Sequence, residues 1–248
     1  MLATPDGRFL SQRTHPRLCL LRTAPVESGI SGGGGTDSGY HFTVEGPGGR
    51  RLELGPLETH HWMEVQLHKD RFPAVVGHDE GDHWFSHYLG EACRLVFMPD
   101  EGLRSVDPKW APGHRVGLAD GYPLHLTTEE SLRDLNSRLT RPTSMLTYRP
   151  NLVVAGGHPW EEDEWRTLRM GGATFHLVKP CARCSVTTVD QGSGSRGREP
   201  LRTLKTFREW EGKVFFGQNA VMEGTGRFRV GDDVHILEKG LRRPPIPA

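Results

Sequence analysis

Apolar residues along this chain fall in short runs separated by turn-forming residues. Residues 17–21, 41–45, 63–67, 94–98, 152–155, 174–178 and 234–237 read as strands. Several alternate as half-buried strands do: Phe42 and Val44 are followed by polar Glu45, and Thr174, Phe175, His176 and Leu177 take turns. Three segments carry helical spacing instead. Residues 82–89 place Trp84, Phe85, Tyr88 and Leu89 together and stop at Gly90. Residues 128–139 have Thr127 and Thr128 as candidate caps, Glu130 in the first turn, and Leu132, Leu135 and Leu139 on one face. Residues 201–210 follow Glu199-Pro200 and keep Leu204 and Phe207 on one side. The glycine-rich stretches 31–36 and 191–197 read as loops, and the proline-rich tail 241–248 as disordered. Many short strands with few helices predict a mainly β, α+β chain built on a barrel or sandwich.

Composition narrows the function classes. The 248 residues suffice for one large domain or two small ones. Lys and Arg number 31, as do Asp and Glu, so no global charge argues for nucleic acid or an acidic membrane surface. No signal-like N-terminus and no apolar run of spanning length occur, which predicts a cytoplasmic protein without a membrane span. In a reducing compartment the pair Cys181 and Cys184 points to redox or metal chemistry rather than a structural disulfide.

The chemistry-bearing residues cluster in a few places. Cys184 follows Arg183, and a neighbouring cation favours the thiolate, the form that binds a metal or attacks. Pro180 before Cys181 predicts a turn that displays both sulfurs at a strand entrance. The spacing alone is equally compatible with two small buried residues near a turn, and without a second pair it cannot build a four-cysteine zinc site. Arg149 and Asn151 precede an apolar strand and suit a ligand with phosphate or amide groups; a surface ion pair and a turn asparagine would look the same. Phe215-Phe-Gly-Gln-Asn219 offers close backbone approach at Gly217 and amide groups at Gln218 and Asn219, or simply a polar β-turn. Arg104-Ser-Val-Asp-Pro108 reads as a loop.

The order of these motifs says more than any one of them. Arg149-Pro-Asn-Leu-Val-Val154 is followed by Trp165-x-x-Leu168, then by Cys181-x-Arg-Cys184-x-x-Thr-Thr-Val-Asp190. Glu199-Pro-Leu-x-Thr-Leu-Lys-x-Phe-Arg208, Phe216-Gly-Gln-Asn219 and Val230-Gly-Asp-x-Val234 complete the series. It resembles the MOSC domain, named after the C-terminal domain of molybdenum cofactor sulfurases. The nearest subgroup is the mitochondrial amidoxime-reducing component and its bacterial relatives. The resemblance covers about residues 100–239 closely. It extends more loosely over the first hundred through Asp6-Gly-Arg-Phe-Leu-Ser-Gln-Arg-Thr-His-Pro-Arg-Leu18.

The resemblance implies a MOSC β-barrel over residues 100–240, preceded by a partial N-terminal β-barrel domain over residues 1–99. It implies molybdenum cofactor, with Cys184 as the protein thiolate on the metal. Arg149, Asn151 and Arg183 match positions that contact the pterin and its phosphate. Asn219 and Thr128 match positions near the pocket. The family's Val-Lys-Ser and Gly-Asp-Arg motifs, which hold the pterin phosphate, would lie before the region matched by residues 6–18, and this sequence begins after both. Some relatives carry an iron–sulfur domain, and no further cysteine follows Cys184 in the 248 residues, so such a domain is not expected among them. Electrons are therefore expected from a separate donor protein: a flavoprotein, a cytochrome b5-like protein or an iron–sulfur protein. The implied reaction is the two-electron reduction of an N–O bond in a small N-hydroxylated substrate. A non-catalytic carrier of molybdenum cofactor or sulfur is the alternative.

Overall fold

The computed structural model describes residues 1–26, 41–55, 61–99, 102 and 104–246. The loop expected at 31–36 lies outside them. The chain is mainly β and divides into two compact units, one of Met1–Leu103 with Val189–Arg196, the other of Arg104–Thr188 with Gly197–Ala248.

In the first unit, β1 (Leu2–Ala3) precedes an antiparallel sheet of β2 (Arg22–Pro25), β3 (Phe42–Gly46) and β4 (Arg50–Leu54), then a hairpin of β5 (His61–Leu67) and β6 (Asp70–Val76). Helix α1 (Asp79–Leu89) follows, and β7 (Arg94–Leu95) returns to pair with β1. Leu2, Leu10, Val44, Leu52, Leu54, Phe85 and Cys93 form its core. Gly90 ends α1 in the left-handed conformation (φ 78°), as expected from a residue lacking a Cβ. The helix begins three residues earlier than the periodicity predicts. His78 caps it by accepting from the Gly81 amide at 3.2 Å, and the acidic Asp79, Glu80 and Asp82 favour its first turn.

Two expected strands change here. Residues 17–21 are largely a 3-10 helix, Pro16–Leu20, because proline at the first helical position presets the backbone and offers no amide to a strand ladder. Of residues 94–98 only the first two pair as a strand; Phe97 adds a single bridge to Val75.

The second unit opens with a hairpin of β8 (Arg104–Ser105) and β9 (Arg115–Val116), where a loop was expected. Its main body is a seven-stranded, curled half-barrel sheet. The strands are β10 (Leu124–Thr128), β11 (Leu152–Val154), β12 (Trp165–Met170), β13 (Ala173–Ala182), β14 (Glu209–Trp210), β15 (Lys213–Glu223) and β16 (Val234–Lys239). The order is β11-β10-β15-β13-β12-β16, with β14 pairing β15. Only β10 and β11 are parallel, and α2 (Glu129–Ser137) lies in the connection that parallel pairing requires.

Alternation sorts the side chains. Leu126, Leu168, Met170, Phe175, Leu177 and Ala220 share one core, and His125 and Asn219, directly opposed across β10 and β15, face the other way. Helix α3 spans only Leu201–Lys205 rather than 201–210. Arg208 is drawn into a buried ion pair with Asp163 at 2.8 Å, and Glu209–Trp210 pair with β15. The tail that composition marks as disordered is held as far as Ile246, which is buried. The Arg243 amide donates to the Asp163 carbonyl at 2.9 Å, and Gln218 Nε2 donates to the Arg243 carbonyl at 3.0 Å.

Candidate functional site

The site grows from the end of β13. Pro180 and Cys181 remain in the strand, with Pro180 opposite Gln218 of β15 and a register shift before Ala182. The turn expected at Pro180 comes later: Cys184 sits at the strand's exit, just before a 3-10 turn of Ser185–Thr188. Thr187 fixes that exit, its amide and hydroxyl both donating to the Cys184 carbonyl at 3.1 and 2.9 Å. Cys184 is half-buried, and neither cysteine is in a disulfide.

Arg183 ties this exit to the second motif. Its amide donates to the Val214 carbonyl at 2.8 Å, extending the pairing with β15. Its Nη2 donates to the Tyr148 carbonyl at 2.8 Å, and its guanidinium lies 5.8 Å from the Tyr148 ring centroid. Nη1 donates to Cys181 Sγ at 3.0 Å. The cation next to Cys184 in sequence thus contacts the other sulfur of the pair. Nε is buried with no hydrogen-bond partner.

Tyr148 closes a 3-10 helix, Met145–Tyr148, and Arg149 then takes a left-handed conformation (φ 54°), uncommon for a residue with a long side chain. That turn throws Arg149 to the surface, where its side chain has no hydrogen-bond or ion-pair partner among the described residues. Asn151 clamps the neighbouring strand: Oδ1 accepts from the His125 amide and its own amide donates to the His125 carbonyl, both at 2.9 Å. Asn219 is half-buried and reaches the Pro180 carbonyl through Nδ2 at 3.4 Å.

Sequence reasoning missed His125. It is buried, with Nε2 3.2 Å from the Phe216 carbonyl oxygen and 3.4 Å from Arg183 Nη1. Burial first, and then the Arg183 charge, push its pKa down to about 3, so the imidazole is neutral at ordinary pH. A polar residue between Leu124 and Leu126 was the available signal. Gly217 makes room for it: a Cβ there would lie 2.5 Å from His125 Nε2 and 2.5 Å from the Leu126 carbonyl oxygen, at a φ of 75°. The glycine of Phe-Gly-Gln-Asn is therefore a close-approach residue.

Thr128 stands apart from this group. At 1% exposure it caps α2, its Oγ1 accepting from the Ser131 amide at 3.2 Å. The same hydroxyl lies 3.1 Å from Glu162 Oε2, and Ser131 Oγ donates to that oxygen at 2.8 Å. Burial, then the Asp163 charge, raise the Glu162 carboxyl to about 7. Cys181, Arg183, Tyr148, His125 and Asn151 are joined by the contacts above, and Asn219 opposes His125 across the sheet. Arg149 and Cys184 adjoin them as the residues following Tyr148 and Arg183, and Thr128 belongs to a scaffold cluster. No group of three or more His, Cys, Asp or Glu side chains able to hold a metal gathers among the described residues, and a metal taking one protein thiolate needs none.

The MOSC domain family model matches residues 113–235, and that of the MOSC N-terminal beta barrel domain matches residues 1–92. Mitochondrial amidoxime-reducing component 1 of Mus musculus is 30% identical over 251 residues, covering 96% of this chain and 71% of its own length. Mitochondrial amidoxime reducing component 2 of Rattus norvegicus is 33% identical over 258 residues, covering 96% and 72%. The molybdenum cofactor sulfurase of Oryza sativa subsp. japonica is 31% identical over 267 residues, covering 95% of this chain but 31% of that protein.

Proposed function

Because this chain belongs to the MOSC family, we propose that it is a molybdenum-cofactor oxidoreductase reducing N–O bonds of small N-hydroxylated substrates with electrons from a separate donor protein. The observation that carries the reading is the Arg183–Tyr148 hydrogen bond. It joins the Cys-x-Arg-Cys exit to the Arg-Pro-Asn turn, two motifs more than thirty residues apart.

The donor set suits the group. Half-buried Cys184 offers a soft ligand, and a soft thiolate suits molybdenum better than an oxygen ligand would. Arg149 presents an uncommitted guanidinium, a match for phosphate. Arg183 keeps a buried Nε–H without an acceptor, a donor that a bound anion would satisfy. When bound, the cofactor supplies a two-electron redox centre. The chain's own part is to bind and orient it. Cys184 anchors the metal side, and Arg149 holds the anionic side. Asn151 keeps an amide donor beyond its clamp on His125, and Asn219 lines the sheet face. Neutral His125 adds no second charge beside Arg183, and so leaves that cation available to an anion. Thr128 contributes indirectly, by fixing α2. A reducing, cytoplasmic setting belongs to the same proposal, because the Cys184 thiolate must stay unoxidised.

The test is expression in a host that makes the cofactor, followed by molybdenum per chain and reduction of benzamidoxime with an artificial electron donor. Near-stoichiometric metal with turnover is expected. Metal without turnover would replace this reading with that of a carrier, and absence of metal would overturn both.

A further inference from the structure

On the sheet face that carries His125 and Asn219, the next residue across is Lys179 of β13, paired with Asn219. The Lys179 ammonium lies 5.5 Å from the Trp110 ring centroid and 5.6 Å from that of Tyr122. A second ammonium, Lys109, also lies 5.5 Å from the Trp110 ring. Two cations thus share one indole.

We propose that Lys109, Trp110, Tyr122 and Lys179 form a substrate subsite for a planar group bearing a carboxylate or similar anion, beside the Cys184 exit. The proposal rests on the oxidoreductase reading and extends it to substrate class.

Three observations carry it. First, the cations are under-compensated. Neither ammonium makes an ion pair among the described residues. The acid at hand is Asp107, whose charge reaches Tyr122 and whose Oδ1 accepts from the Lys109 amide. That carboxylate is engaged by the Lys109 backbone amide and not by either ammonium. Like charges sharing a ring repel, and an incoming anion relieves that repulsion. Second, the Tyr122 hydroxyl is buried with no hydrogen-bond partner, a donor directed at nothing within the fold. Third, the cage is rigidly mounted. Tyr122 and Val178 pack on a core of Val106, Ala111, Val116 and Val221, which sets the Tyr122 wall before any ligand arrives. Lys179 is two residues from Cys181 and five from Cys184, which puts the cage on the strand that leads to the thiolate.

The experiment compares neutral benzamidoxime with 4-carboxybenzamidoxime, which differs by one carboxylate. Binding of each is followed by tryptophan fluorescence on the purified protein, with Trp110→Phe identifying the responding indole. In parallel, kcat/KM for both is measured on the molybdenum-loaded protein. Lys179→Met is expected to weaken binding of the carboxylated compound about tenfold, the loss of one charge-assisted contact. It should raise that compound's KM with little change in kcat, and leave benzamidoxime within about twofold. Lys109→Met should act in the same direction, and higher salt should erode the preference. Equal effects of Lys179→Met on both compounds, or no preference for the carboxylate in the unmodified protein, would overturn the subsite. The titration reads the subsite without turnover. A protein that binds the carboxylate preferentially but reduces neither compound would instead count against the oxidoreductase reading alone.

Discussion

Arg208 and Arg149 carry the same guanidinium on the same domain and put it to opposite use. Arg208, at 1% exposure, is ion-paired to Asp163 at 2.8 Å and lies 4.3 Å from the Trp160 ring centroid. Around it Asp163 also takes Gln218 Nε2 at 2.8 Å, and Thr128, Ser131 and Glu162 bond among themselves. Arg149 sits on an exposed left-handed turn, directly after Tyr148, whose carbonyl accepts from Arg183. Both clusters leave buried polar atoms without partners, Arg208 Nε and Nη1 and Glu162 Oε1 in the first and Arg183 Nε in the second. The first commits its charges to a buried ion pair, while the Arg149 guanidinium is exposed and unpaired among the described residues. Exposure without an ion-pair partner, rather than an unpartnered donor, separates Arg149 from Arg208. The cost of breaking each cluster should differ accordingly.

The largest effect is expected from Arg208→Met. It strands the Asp163 carboxylate in the interior with Arg242 at 3.7 Å as its remaining cation, and breaking a buried pair this way costs about 3–5 kcal/mol. Urea unfolding of the metal-free protein reads it; a loss below about 1 kcal/mol would mean that the pair adds nothing to the fold.

Glu162→Gln should show a comparable effect of opposite sign that depends on pH. The native carboxyl titrates near 7 and the unfolded one near 4.5. Between those values the native state binds more protons, so wild-type stability falls as pH rises through the window and is fully retained below it. Glutamine removes that dependence. The variant should therefore gain on the wild type by up to about 3 kcal/mol between pH 4.5 and 8. His125 slopes the other way, losing stability as pH falls from 6.5 toward about 3, but it is common to both proteins and cancels. A difference that does not vary with pH would contradict the raised carboxyl.

Thr128→Val should cost about 1–2 kcal/mol, for a lost cap and a lost buried hydroxyl contact. Molybdenum per folded chain should not change; a drop in metal with normal stability would move Thr128 into the ligand face. Smallest in stability is Arg149→Met, expected within about 0.5 kcal/mol on the metal-free protein. There the loss should appear in cofactor occupancy, and a large destabilisation would assign Arg149 to the scaffold.

This contrast explains what could be read from the sequence. Strands such as β13 and β16, and the cap at Thr128, follow from periodicity and local chemistry, because alternation and capping are decided within a few residues. The early start of α1 at Asp79 was hidden by Gly81 and by a histidine cap. The shortening of α3 was hidden for another reason: Arg208 leaves the helix for a partner 45 positions away. The site divides in the same way. The motifs named Cys184, Arg149, Asn151 and Arg183, but neighbours in sequence proved poor guides to contact. The Arg183 guanidinium bonds Cys181, and the hydroxyl of Thr128 is consumed by Glu162 and Ser131. Close approach at Gly217 was legible in its motif, but its neighbour there, His125, needed the β10–β15 pairing, which no local pattern encodes.

The central claim is that Cys184, and not Cys181, provides the thiolate on which the ligand face is built. Molybdenum per chain in Cys184→Ala and Cys181→Ala, both expressed with the cofactor pathway present, tests it most directly. The account predicts near-complete loss of metal in the first and retention of most of it in the second, with both variants folded. Equal loss in the two would point to a shared dithiol site, and retention in Cys184→Ala would contradict the account.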